Sequence, residues 1–326
     1  MREPISPDHG AHTTFGDGRS SGRRLDQLPA PQFIGIGAQK CATTWLAEML
    51  SGHPDLFMVS GKEVDFFSHH YAKGVAWYQT AHFRDAAGRT GGEISPSYLV
   101  DPFAAERAHA FAPDFKIIVA LRDPVERAFS NHLHELRKHN YPLDDRTFEA
   151  GLAQNPMYLE QSRYGHYLRF WFDRFGSDRI HVVFQEEIPS DPVVAAARVY
   201  RFLGVRDDVI PSGIDERTHA NVGYRNQGLM RALRLMAKGA KRAGLDRIVK
   251  LAKETPGIGT LYRANLRDFR VEVQPMREET REWIASYLSD DMRSLSVMLG
   301  GRELPWPSWQ MVEGDRPAAV AVARSA

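Results

Sequence analysis

The chain has 326 residues and a formal net charge of +1, long enough for one large α/β domain or two small ones, with no overall charge to draw it to nucleic acid or an anionic membrane. Cys41 is its only cysteine, which excludes a disulfide framework and leaves any metal site to histidines and carboxylates. No apolar run is long enough to span a bilayer and the N-terminus lacks a hydrophobic signal core, so the expectation is a cytoplasmic protein without a membrane anchor.

Residues 1–30 are polar, rich in Gly, Ser, His and Arg, and without periodicity, the pattern of a disordered arm. Phe33, Ile34 and Ile36, punctuated by Gly35 and Gly37, then read as a buried β-strand. Residues 37–44, GAQKCATT, make a turn of small residues, and Trp45, Leu46, Met49 and Leu50 follow at helical spacing. Strand, small loop and helix is the layout that binds phosphate, because loop N–H groups and the helix N-terminus point at the anion. Lys40 adds a mobile cation; Thr43 and Thr44 add hydroxyls, or one of them is the helix N-cap. The loop is not a Walker A motif, which needs Gly directly before Lys-Ser/Thr; here Gln39 precedes Lys40, and Cys41 and Ala42 separate it from the threonines. The plain alternative is an ordinary strand-to-helix turn carrying a surface lysine.

Leu56–Val59 is a second short strand, followed by Lys62 and Glu63 and then by an aromatic-rich stretch from Phe66 to Phe83. Gly91–Tyr98, GGEISPSY, reads as a strand end breaking into a Pro turn, and Asp101-Pro102 opens a helix running to about Phe111. Lys116–Leu121, KIIVAL, is the clearest buried strand, of the kind found in parallel sheets. Asp123 then caps a helix, Pro124 fits its first turn, and Glu126 stands where a capping-box carboxylate belongs. Val125, Ala128, Phe129, Leu133 and Leu136 mark one face of it. A helix over Tyr164–Phe175, a strand over Ile180–Phe184 and a helix from Asp191-Pro192 through Leu203 complete an alternation that argues a doubly wound α/β sheet. Residues 211–275 are basic, from Arg225 through Arg231, Lys238 and Lys250, either a solvated helix face or a basic lip over an anionic ligand. Glu278–Leu299 gives one or two helices, Trp306 and Trp309 pack back as a cap, and the last residues form a loose tail. There is no internal repeat and no second domain with a sheet of its own.

Four features converge on chemistry. They are the Lys40 loop; Arg122 at the C-terminal end of a central strand, with Ser130 about two helical turns beyond Asp123; Glu63 after the second strand; and Glu93–Tyr98. Arg122 and Ser130 suit a second phosphate, with a surface ion pair to Asp123 or Glu126 as the alternative. In this order and spacing, GAQKCATTWL, KEVDFF with KGVAWY, GEISPSYL, IIVALRDPVERAFSNH and RYGHYLRFWFDRFGSDRIHVVFQEE resemble the PAPS-dependent sulfotransferases, PAPS being 3′-phosphoadenosine 5′-phosphosulfate. The nearest branch is the heparan-sulfate sulfotransferase-like group and its bacterial relatives. The resemblance covers roughly Phe33–Leu203 and returns over the terminal helices and Gly300–Trp306.

That resemblance implies an α/β, P-loop-like three-layer sandwich around a mainly parallel sheet. It implies one sulfotransferase domain over residues 31–310, with its core at 33–203, a basic helical region at 211–275, terminal helices at 277–310 and a loose tail at 311–326. It implies an enzyme that moves a sulfuryl group from PAPS to a hydroxyl or amine of a small-molecule, lipid or carbohydrate acceptor, releasing PAP and needing no metal. Gln39, Lys40, Cys41, Ala42, Thr43 and Thr44 would form the 5′-phosphosulfate loop, with Lys40 its functional lysine. Arg122 and Ser130 would hold the 3′-phosphate, Glu63 would be the catalytic base, and Arg225 would belong to a loop closing over the nucleotide. Apart from the resemblance, His132, two residues from His134 and on another face of its helix, is a reserve base. Three positions depart from the family pattern: Cys41 replaces a small Gly or Ser, Ile94 a Lys, and Asp65 a His or Gln. The competing readings are a P-loop-type nucleotide kinase or NTPase and a non-catalytic nucleotide-binding relative. The first predicts a Walker A loop and a Mg²⁺-holding Asp where Arg122 stands.

Overall fold

The structure is a computed structural model; it describes residues 29–59, 63–138, 146–211, 214, 222–224, 266–268 and 273–314. Its centre is a five-stranded, all-parallel sheet in the order β2-β3-β1-β4-β5. The strands are β1 (Phe33–Gly37), β2 (Leu56–Met58), β3 (Thr90–Ile94), β4 (Lys116–Leu121) and β5 (Ile180–Phe184). Every residue of β1 is buried, and so are the last five of β4. Continuous Ile/Val/Leu runs form such strands because helices cover the sheet, leaving no face for polar alternation. The result is the expected P-loop-like three-layer architecture.

Helices α1 (Thr43–Ser51), α2 (Val75–His82), α3 (Ala104–Phe111), α4 (Pro124–Arg137), α5 (Phe148–Gln154), α6 (Met157–Glu160), α7 (Tyr164–Phe175) and α8 (Pro192–Leu203) connect or flank the strands. Their starts follow local chemistry. Asp191 accepts a hydrogen bond from the Val194 amide at 2.9 Å, as Asp at an N-cap does. Asp123 accepts from the Val125 and Glu126 amides at 2.9 and 3.3 Å. Asp101, read as a helix cap, instead accepts from the Phe103 amide in a turn before α3. Gly91–Tyr98 is more than a strand end: Gly91–Ile94 belongs to β3, which lies between β2 and β1.

The connection leaving β1 passes to one side of the sheet and the connection leaving β4 to the other. The carboxyl ends of β1 and β4 are therefore the topological switch point, where open α/β sheets form their ligand crevice. The loop with Lys40 follows β1, and Arg122 follows β4. The Ala38 amide donates to the Ala120 carbonyl at 2.6 Å, which ties the two exits together.

Three further helices close the chain: α9 (Glu278–Tyr287), α10 (Ser289–Met298) and α11 (Pro307–Gly314). Asp291 on α10 accepts from the Gly165 and His166 amides, both at 2.8 Å, and so caps α7. The approach requires glycine, since a Cβ at Gly165 would lie 2.4 Å from the Asp291 carbonyl. Trp306 is fully buried, as the sequence suggested. Residues 311–314, expected in the loose tail, belong instead to α11, which runs to Gly314 and buries Val312. Residues 1–28 and 315–326, expected to be an arm and a tail, and most of the basic region lie outside the described residues. Two pieces of that region, β6 (Val222–Tyr224) and β7 (Leu266–Asp268), pair antiparallel into a small second sheet that the sequence reading did not contain.

Candidate functional site at the sheet's carboxyl edge

The loop after β1 is shaped for an anion. Lys40 and Ala42 adopt left-handed backbone conformations, with φ of 72° and 59°. Left-handed residues in a tight loop turn neighbouring N–H groups into a concavity. Gly37 has φ +133°, and a Cβ there would stand 3.1 Å from the Pro96 carbonyl. The N-cap of α1 is Ala42, and no side chain caps that helix. Thr43 and Thr44 are thus its first two residues rather than its cap, and the first-turn amides keep their donor capacity for something else.

Arg122 is nearly buried and uses one terminal nitrogen on Glu126, 3.4 Å away. Glu126 does not close a capping box; its other oxygen takes Arg281 of α9 at 2.7 Å. The Asp123 amide donates to Glu186 at 2.8 Å, and the Ser308 amide donates to Asp123 at 3.0 Å. The Trp306 indole donates to Glu186 at 3.2 Å. The C-terminal segment therefore braces the corner from which Arg122 projects. Tyr164 of α7 donates to the Arg122 carbonyl at 3.0 Å and lies 3.5 Å from the Cys41 sulfur, linking that corner to the β1 loop. Burial pushes the Cys41 thiol up to about 11. Here Cys41 is a buried spacer between loop and helix, which accounts physically for a residue larger than Gly at that position.

Ser130 is buried on α4, on the helix that begins beside Arg122. The far end of α4 brings charge to Lys40. Desolvation, then Arg137 and Lys138, push the Lys40 amine from its ordinary 10.5 down to about 7, against the opposing pull of Glu135 and Glu63. His134 is driven to about 3 by desolvation, Lys40, Lys138 and Arg137. Lys40, a neutral His134, Arg137 and Lys138, the last paired with Glu135 at 3.7 Å, stand near one another, an arrangement that a dianion would relieve.

A cleft of about 430 Å³ opens beside the loop. Ala38 and Gln39 form one wall; Glu63, Asp65, Ser97 and Asp101 form much of the rest. Glu63 is exposed toward solvent. Asp65 is left-handed, with φ 53°, and is held by Ser97, which donates to its carboxylate at 2.5 Å. A larger depression of about 530 Å³, lined by Leu152, Leu159, Trp283 and Tyr287, involves none of these groups.

Residues 30–240 match the family model described as "Sulfotransferase domain", more than half of the chain. The chain belongs to the sulfotransferase family. It is 38% identical over 192 residues to heparan sulfate glucosamine 3-O-sulfotransferase 3B1 of Mus musculus, across 57% of this chain and 48% of that protein. It is 35% identical over 181 residues to heparan sulfate glucosamine 3-O-sulfotransferase 6 of Homo sapiens, across 54% of this chain and 53% of that protein. The chain thus spans about half the length of the curated relatives it matches. The crystal structure of a sulfotransferase from Alicyclobacillus acidocaldarius superposes with a TM-score of 0.61 at 24% identity, across 87% of this chain and all of that one, a likeness of fold.

In this member of the family Gln39 to Thr44 and Arg122 follow the carboxyl ends of β1 and β4, Glu63 lines the cleft with Gln39, and Ser130 is buried on α4. Arg225 and Lys62 lie outside the described residues. His132 is unsuited to the reserve role it was given. It is fully buried, its ring within 3.0 Å of the Arg146 carbonyl and 3.4 Å of the Tyr158 hydroxyl, in a space a Cβ on Gly151 would already fill. His134, two residues on and hence on another face of α4, is the histidine beside Lys40. Arg137, Lys138 and Asp65 were missed as neighbours of the site. Only Asp65 carried a sequence signal, its departure from the family pattern. Among the described residues no three His, Cys, Asp or Glu side chains gather as metal ligands, and no helix is long and apolar enough to cross a membrane.

Proposed function

We propose that this sulfotransferase transfers a sulfuryl group from PAPS to a hydroxyl or amine of an acceptor held in the Glu63–Asp101 cleft. The observation that carries the reading is the uncapped N-terminus of α1 with Lys40 beside it, placed at the β1/β4 switch point next to Arg122. The donor set fits the nucleotide: two separate cationic positions, serine and threonine hydroxyls and free first-turn amides match two separate phosphates. When bound, PAPS supplies an activated sulfuryl group on a phosphate that leaves.

Lys40 and the first amides of α1 stabilise the negative charge that develops on the leaving phosphate oxygen. Glu63 takes the proton of the acceptor as the new bond to sulfur forms, a contribution of about 10²–10⁴-fold for a general base. Arg122 and Ser130 hold the 3′-phosphate. Arg122 does so by exchanging part of its contact with Glu126, which keeps Arg281. A glycan acceptor is supported by the heparan sulfate relatives, and the cleft of about 430 Å³ has room for one or two sugar rings.

The test is incubation with labelled PAPS and a panel of glycan, phenol and amine acceptors, followed by mass spectrometry for the sulfated product. Thermal shift is run beside it with PAP and with ATP plus Mg²⁺. Sulfated product and stabilisation by PAP are expected. Stabilisation by ATP plus Mg²⁺ alone, with no sulfated product, would replace this reading with the kinase-type alternative.

A further inference from the structure

Glu93 sits on β3, 1% exposed, in the sheet interior. A buried carboxylate is costly unless its charge is matched by hydrogen bonds or a cation. Its hydrogen-bond partners among the described residues are three hydroxyls. Tyr98 donates at 2.5 Å and Tyr78 at 3.2 Å to one oxygen, and Ser95 donates at 2.7 Å to the other. Two of these hydroxyls also accept. The Ser95 oxygen takes the Asp65 amide at 2.9 Å, and the Tyr98 oxygen takes the Phe66 amide at 2.8 Å. Those consecutive amides belong to the segment that carries Glu63 and forms the wall of the cleft. Its turn is the left-handed Asp65, whose carbonyl accepts from the His69 and His70 amides, both at 2.9 Å.

We propose that Glu93 is the positioning residue for the Glu63–Phe66 segment, acting through the Ser95 and Tyr98 hydroxyls. A hydroxyl has one proton to give. When Glu93 is a carboxylate, both protons go to it, and both hydroxyl oxygens are committed to accepting from the amides of Asp65 and Phe66. A protonated or amide side chain at this position introduces a donor of its own. That donor competes for the same hydroxyl oxygens and weakens the hold on the segment. The inference rests on the sulfotransferase reading, since only there does the placement of Glu63 matter to chemistry.

The titratable groups facing Glu93 are Tyr78 from α2, Tyr98 from the turn after β3 and Asp65 from the loop after β2. Ile34, its register partner on β1, carries no charge. Burial pushes the Glu93 carboxyl up from its ordinary range to about 7, the three hydroxyl hydrogen bonds opposing it and the Asp65 charge adding to it. The positioning network is therefore intact above about pH 7 and loosens as the pH falls through that value.

The experiment measures kcat and kcat/KM against pH for the wild type, Glu93→Gln, Ser95→Ala and Tyr98→Phe, with PAP affinity from calorimetry. Glu93→Gln is expected to lose tenfold or more in kcat at pH 8 while its PAP affinity changes less than twofold. Its acid limb near pH 7 is expected to vanish. The double variant Glu93→Gln/Tyr98→Phe is expected to be no worse than the poorer single variant, because both break one chain of contacts. Hydrogen exchange is measured on the same proteins, and protection of the Asp65 and Phe66 amides is expected to fall at least tenfold in all three single variants. Wild-type kcat with an unmoved acid limb in Glu93→Gln overturns the proposal. If Glu93→Gln does not fold, the same wild-type behaviour in both Ser95→Ala and Tyr98→Phe overturns it. Should the wild type transfer no sulfuryl group to any acceptor, the sulfotransferase reading fails by itself. The exchange data then still decide whether Glu93 holds the segment, and unchanged protection refutes that.

Discussion

Lys40 makes a prediction that turns on protons. With its amine held near 7 by desolvation and by Arg137 and Lys138, only about one molecule in ten carries a charged Lys40 at pH 8. A phosphate dianion about 4 Å away, at an effective dielectric constant near 20, supplies roughly 4 kcal/mol of attraction per unit charge, enough to return the amine to its ordinary range. Binding of PAP at pH 8, where its phosphates are already dianions, should therefore draw about 0.9 proton from the buffer. His134 starts from about 3, and the recharged Lys40 beside it, with Lys138 and Arg137, opposes its protonation at pH 8. Calorimetry in HEPES and in Tris, whose ionisation enthalpies differ, reads the uptake as the slope of observed enthalpy against buffer enthalpy. In Lys40→Arg the guanidinium keeps its proton throughout, and the slope at pH 8 should fall to near zero while binding survives. A wild-type slope below about 0.2 at pH 8, or an equal slope in Lys40→Arg, would refute the reasoning. The sign for stability follows from the same depression. Between about 7 and 10.5 the unfolded chain holds a proton the folded one lacks, so this group makes stability rise with pH across that window.

Arg122→Ala should weaken PAP by the loss of a charge-assisted contact, about 1.5–3 kcal/mol, and should leave a nucleotide with only the 5′-phosphate almost unaffected. Calorimetry on both ligands checks it, and equal weakening would remove Arg122 from the 3′-phosphate. Glu63→Gln should bind PAP normally and lose about 10²–10⁴-fold in kcat on an aliphatic alcohol, with a smaller defect on an acidic phenol; full activity on the alcohol would make Glu63 structural. Cys41, buried and pushed to about 11, should resist a thiol reagent at pH 8 in the native protein and react only as the chain unfolds. Rapid native labelling would contradict its place between the loop and Tyr164.

The strands β1 and β4, the helices after them and the α8 cap were legible because each is a local pattern. An apolar run bounded by glycine, or Asp followed by Pro, acts over a few residues and needs no partner to be read. The Lys40 loop and Arg122 were legible for the same reason, since both follow strands that announce themselves. Glu93 was not. Within GGEISPSY nothing marks it as interior, and a carboxylate is ordinarily a surface residue; only the arrival of Tyr78 from α2 and Tyr98 from the next turn makes its burial tolerable.

By itself the sequence determined most of the segments that form the parallel sheet and that a loop of small residues carrying Lys40 follows β1, through periodicity, turn residues and spacing. Tertiary structure alone decided which histidine of α4 meets Lys40. His132 and His134 are equivalent by composition, and the packing of α5 and α6 encloses one while leaving the other beside the loop. It also decided that Lys40 is depressed rather than an ordinary surface amine. A pKa depends on burial and on charges brought close from elsewhere in the chain, and Arg137 and Lys138 lie nearly a hundred residues away in sequence.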